Sequence, residues 1–253
     1  MDTTLILILS LIGAFGAFIS GLVGIGGAIV IYPMVLFIPP LFGYEISPGI
    51  ASGLTAAQVF FSTMSGSLSQ RGNPDLNKNI ILPMGTGILL GSLLGAYSAT
   101  IFDESLINIV YTFLAILAVF LMFVKVKPEN ERTKFNKTTL FITALVIGIL
   151  SGIVGAGGAF IILPVLLAIF KAPFRSVVAS SIVIAFISSV GTFIMKSMTG
   201  QIDFMMMLSL VIASLLFAPI GTKLSKKTNQ KILRIILALL IALAAIKMIM
   251  NMI

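Results

Sequence analysis

The chain has 253 residues, 58% of them hydrophobic and 9% charged, where an ordinary globular domain holds about half and about a quarter. Its net charge of +8 comes from short basic loops between apolar runs, which argues against a nucleic-acid partner and for a multi-pass membrane protein. Cysteine and histidine are absent, which excludes disulfides, thiolate sites and imidazole acid-base chemistry, and no cofactor or metal is expected.

In chain order, the opening stretch MDTTLILILS has no basic n-region, so the first apolar segment is expected to stay in the mature protein. Charge-free runs then cover residues 3–44, 46–70, 79–102, 106–124, 138–170, 176–195 and 204–222. A last helix is expected at about 232–252, with Arg234 and Lys247 near its ends. Most runs suit one crossing, which takes roughly 20 residues. The first and fifth hold 42 and 33 residues and are too long for one straight span.

Each long run contains a glycine string. SGLVGIGGAIVIYP occupies residues 20–33 and SGIVGAGGAFIILP residues 151–164, with nine of fourteen positions identical at an offset of 131. The chain therefore reads as a duplicated unit. Its expected parts are a first membrane repeat at 1–126, a basic cytoplasmic linker at 127–137 and a second repeat at 138–253.

The strings are expected to break the helix, making either a kinked crossing or a hairpin of two short helices that enters and leaves on one side. Eight complete crossings divide Lys and Arg nine to seven between the two sides, whereas two hairpins divide them fourteen to two. The positive-inside rule favours the hairpins, with the basic side cytoplasmic and both termini outside. Each half then has a hairpin and three spans, so the second half is inverted relative to the first. The expected fold is all-α, an inverted duplication of re-entrant hairpins. The competing reading is that the glycines only let neighbouring helices approach.

In an inverted pair the breaks meet near the bilayer midplane. Second arms starting near Ala28 and Ala159 would present helix N-termini there, whose free N–H groups favour an anion without a buried cation. The candidate binding residues are Gly24, Gly26 and Gly27 with Gly155, Gly157 and Gly158, preceded by Ser20 and Ser151. The next spans add Ser52, Thr55 and Gln58, and Ser180 and Ser181. Each hydroxyl could instead bond within or between helices. Lys196 and Arg71 read as interfacial anchors, with attraction of substrate at the two mouths as the alternative.

Two GxxGxGGA strings, each followed by an apolar stretch and Pro, with AS at the start of the next spans and a basic mid-chain loop, resemble the sulfite exporter TauE/SafE family over essentially the whole chain. The resemblance implies a multi-pass permease of the cell membrane that exports a small anion such as sulfite or an organosulfonate, with the anion and the bilayer as its partners. Cysteine-dependent handling, found in related thiosulfate importers, cannot operate here. All eight carboxylates fall outside the expected membrane core, so a proton relay on buried acids is absent and the membrane potential is the expected drive for anion exit. The alternative is a membrane scaffold or assembly factor. The sequence leaves the exact cargo, coupling ion and oligomeric state open.

Overall fold

The structure, a computed structural model, describes residues 2–23, 27–123 and 135–225, and near the C-terminus 239, 242–243, 246–248 and 250. Among the described residues the fold is all-helical: α1 (Thr3–Val23), α2 (Ala28–Phe37), α3 (Pro48–Ser69), α4 (Lys78–Ser98), α5 (Ser105–Phe123), α6 (Lys137–Val154), α7 (Ala159–Ala168), α8 (Phe174–Met198) and α9 (Phe204–Ser225). A short 3-10 turn, Pro39–Phe42, follows α2. Helices α1, α4, α6, α8 and α9 are long and apolar enough to cross a membrane. The chain is thus a multi-pass helical membrane protein. The linker expected at 127–137 and the last helix expected at 232–252 fall largely outside the described residues.

Two glycine seams hold the helices together. Along α4, Gly87, Gly91 and Gly95 recur every four residues and face α6, which presents Gly148 and Gly152. A methyl group at Gly91 would lie 2.2 Å from the Leu145 carbonyl oxygen, and one at Gly95 2.0 Å from that of Ile149. Only hydrogen at these positions lets the backbones approach so closely. The contacts rise together in residue number, so α4 and α6 run parallel.

Helices α1 and α9 repeat the arrangement. A methyl at Gly13 would lie 2.2 Å from the Leu210 oxygen and one at Gly221 2.1 Å from the Phe18 oxygen. The Ser214 hydroxyl donates to the Gly13 carbonyl at 3.2 Å and that of Ser10 to Ser209 at 3.3 Å. The first helix of each sequence repeat therefore packs against the other repeat.

Each glycine string turns the chain back on itself. Gly16 faces Ile31 and Gly27 faces Ser20, so α2 descends antiparallel along the end of α1. The Tyr44 hydroxyl then donates to Asp2 Oδ2 at 3.1 Å, bringing the run back to the end where it started. Nearby, Ser47 Oγ donates to Glu104 Oε1 at 3.0 Å, and Gly53 lies under the Gln201 carbonyl. These contacts gather residues 2, 44, 47, 104 and 201 at one end of the bundle, which excludes a single kinked crossing through 3–44.

The hairpins differ from expectation in their first arms, which are not short. Helices α1 and α6 hold 21 and 18 residues, about 31 and 27 Å. The second arms α2 and α7 hold 10 each, about 15 Å. The seams explain the asymmetry, because α1 and α6 stay regular for as long as α9 and α4 accompany them.

Candidate substrate site

The second break is described in full. Helix α6 ends on Gly155, whose N–H bonds the Gly152 carbonyl at 3.2 Å, while Ala156 N bonds Ser151 O at 3.0 Å. Gly155, Gly157 and Gly158 have φ of 81°, 58° and 66°. Three left-handed residues in four reverse the chain within one turn, a path that costs an L side chain roughly 1–2 kcal/mol per residue. The turn is wedged between helices. Gly155 lies under the Ser52 carbonyl, Gly157 against Val59 and Ser189, and Gly158 against Ile88 and the Ser151 hydroxyl.

Helix α7 then starts at Ala159, as expected. Its first-turn carbonyl, Gly158 O, accepts from Ile161 N and Ile162 N. The N–H groups of Gly157, Gly158, Ala159 and Phe160 make no hydrogen bond among the described residues. They form the positive end of a helix with its donors open.

At the first break Gly27 has φ 61° and caps α2, which starts at Ala28, also as expected. Val30 N and Ile31 N bond the Gly27 carbonyl. Gly24 and Gly26 lie outside the described residues.

A brace holds this arm. Pro33 has no N–H, so its place in α2 leaves the Ile29 carbonyl without its helical donor. The Tyr111 hydroxyl from α5 donates to that carbonyl, and Tyr32 donates to Asn108 Oδ1 at 2.5 Å, with the two tyrosine rings 4.9 Å apart. Tyr111→Phe is therefore expected to orphan a buried carbonyl and cost about 1–3 kcal/mol. Thermal unfolding in detergent checks it, against Tyr97→Phe on the exposed side of α4 as the neutral control.

The candidate hydroxyls divide. Ser52, fully buried, donates to the Ile153 carbonyl at 3.1 Å and ties α3 to the end of α6. Thr55 donates to Ala51 O at 2.8 Å, Ser151 to Gly148 O at 3.3 Å and Ser181 to Val178 O at 3.2 Å, all within their own helices. Ser180 Oγ accepts from Asn77 N at 3.1 Å, at the start of α4. Ser20 is buried beside Gly27. The second break gathers Ser52, Ser151 and the three glycines. Ser180 and Ser181 sit about 12–14 Å along α8 from Ser189, which the break touches.

Gln58 stands apart. It is 0% exposed, one residue before Val59, and among the described residues neither its amide nitrogen nor its amide oxygen has a hydrogen-bond partner. An orphaned buried amide is rare and costly, and its common causes are a ligand, an ion or an ordered water. The Ser188 hydroxyl is likewise buried and unpaired.

Two further features were not among the sequence candidates, and a third departs from its expected role. Ser189 touches Gly157 and shares a 3.1 Å hydrogen bond with Thr63 on α3. Phe60 stacks on Phe193 at 4.8 Å beside that pair. Lys196, read as an interfacial anchor, is instead 0% exposed and donates to Gln201 Oε1 at 2.6 Å. The paired serines of FISSVG signalled the first; nothing local marked the burial of Lys196.

Crossing helices, a break with open N–H groups and a buried unpaired amide one residue from Val59 fit a multi-pass membrane transporter. The family model for sulfite exporter TauE/SafE matches residues 9–248, and the chain belongs to that family. It is 27% identical to the probable membrane transporter protein YunE of Bacillus subtilis, over 92% of this chain and 94% of that one. It is 26% identical to the probable membrane transporter protein MJ0441 of Methanocaldococcus jannaschii, over 96% and 95%. A third relative, the probable membrane transporter protein YdhB of Bacillus subtilis, is 23% identical over 96% and 98%. No solved structure matches the chain.

Proposed function

We propose that this transporter moves a small anion, sulfite or an organosulfonate, by alternately exposing a site formed at the two helix breaks. The observation that carries the reading is Gln58, a fully buried amide with no partner, next to the residue that touches Gly157. Open N–H groups at the start of α7 supply further donors, and the helix dipole adds favourable potential without a fixed charge in the turn.

Ser52 lies in the first half of the chain and touches the glycine turn of the second, which supports a site shared between the two repeats. The fourteen-to-two division of basic residues supports a cell-membrane protein with both termini outside. Export follows the potential: a monoanion leaving an interior at −100 mV gains about 2.3 kcal/mol. A scaffold would have no use for an unpaired amide beside a helix break.

Purified protein in liposomes loaded with sulfite or an organosulfonate tests this. An inside-negative potential is expected to accelerate saturable efflux with no proton gradient present. Efflux that needs a proton gradient and ignores the potential would contradict the drive proposed, and no flux of any anion would favour the scaffold.

A further inference from the structure

Near the end of α8 lies a lysine buried among apolar helices. Lys196 is 0% exposed, its Nζ donates to the uncharged amide of Gln201 at 2.6 Å, and it forms no ion pair among the described residues. Two of its three donors are left over. An exposed carboxylate at the same end of the bundle, Glu104, holds the Ser47 hydroxyl at 3.0 Å.

Its position adjoins the second break. The Gln201 carbonyl sits on Gly53, where a methyl group would lie 1.9 Å away, and the Ser52 carbonyl sits on Gly155, where the distance would be 2.0 Å. The lysine loop and the glycine turn therefore press on consecutive residues of one turn of α3.

An ammonium taken out of water with one neutral partner is costly, and either sheds its proton or gains an anion. A lysine kept for stability alone would be better paired, and one kept as an anchor would reach the surface. We propose that Lys196 is the counter-charge for the transported oxyanion at the end of the bundle where Ser47, Glu104 and Gln201 gather, and that Glu104 competes with the cargo for it. The inference rests on the anion-transport reading and gives the transported anion a charged partner. An oxyanion would accept the two spare N–H groups while Gln201 keeps the third, and neutral or cationic solutes would find no partner there.

The test measures sulfite flux in proteoliposomes for the native chain, Lys196→Gln, Lys196→Arg and Glu104→Gln, with thermal stability of each. Glutamine at 196 keeps a donor for Gln201 and removes the charge. It is expected to raise the KM for sulfite about tenfold, the effect of one good charge-assisted contact, and arginine is expected to restore part of the loss. Glu104→Gln, at an exposed site, is expected to lower KM about two- to threefold. These opposite signs are what a shared electrostatic role produces and a packing role does not.

If the native chain moves sulfite and Lys196→Gln moves it with the same KM, this proposal falls and the transport reading stands. If the native chain moves no anion, both fall. Should Lys196→Gln not fold, Glu104→Gln decides: a lower KM supports the counter-charge, and an unchanged KM overturns it.

Discussion

Gln58→Leu is expected to raise the stability of the protein and to slow transport roughly 10- to 100-fold at low substrate. Leucine has nearly the volume of glutamine, and the amide it replaces is fully buried with nothing to bond. Removing an unsatisfied buried group recovers its desolvation penalty, about 1–3 kcal/mol, or roughly 2–4 °C per kcal/mol for a chain of this size. Transport moves the other way, because the anion of the proposed site would lose one of its hydrogen-bond donors. A loss of roughly 10- to 100-fold in flux at low substrate follows if one hydrogen bond to a charged group is lost. Differential scanning fluorimetry and liposome flux on the same preparation check both signs. A destabilised variant with unchanged flux would make Gln58 a structural amide and remove the main support for the site.

The largest loss is expected from the smallest change, Gly155→Ala. Its φ of 81° disfavours any side chain, and the added methyl would lie 2.0 Å from the Ser52 carbonyl oxygen. That obstacle is backbone, so no rotamer change relieves it. The strain of about 1–2 kcal/mol adds to overpacking of about 1–3 kcal/mol, a sum near the top of the range for single substitutions. Gly200→Ala separates the two terms: φ is 73° there, but nothing lies within 4 Å. It should cost about 1–2 kcal/mol and leave flux intact, while Gly155→Ala loses both stability and flux.

The same geometry limits what leucine scans of the turns can reveal. At Gly27 a side chain would meet Ser20 at 2.8 Å, and at Gly158 the Ile88 side chain at 2.8 Å, both at positive φ. Either leucine is therefore expected to lower stability along with transport, so those variants do not by themselves separate a binding role from a packing role. Gln58→Leu does, because its two effects have opposite signs.

The helix breaks were legible because they answer to chain length and local geometry. An apolar run of 42 or 33 residues cannot be one straight span, and a cluster of glycines is where it turns, so Ala28 and Ala159 open their helices where expected. The long first arms were not legible, since the length of α1 depends on α9 beside it. The spacing of Gly87, Gly91 and Gly95 carried the seam signal, but which helix would fill it depends on tertiary structure. For Thr55, Ser151 and Ser181 the helix-internal bond won, because a carbonyl one turn back lies within reach of any helical hydroxyl. The isolation of Gln58 and the burial of Lys196 are statements about neighbours, and a sequence lists no neighbours.

The exchange of first helices between the two repeats also sets the order of assembly during synthesis. Ser10 waits for Ser209, 199 residues downstream, which at about 5–20 residues per second is roughly 10–40 s of elongation. Over that interval α1 sits in the lipid with Gly13 uncovered, while α4 and α6, emerging close together, can zip first. Closure of the bundle therefore belongs to the last third of translation, and a ribosome that stops before α9 leaves a nascent chain whose opening helix lacks the partner that Gly13 and Ser10 contact.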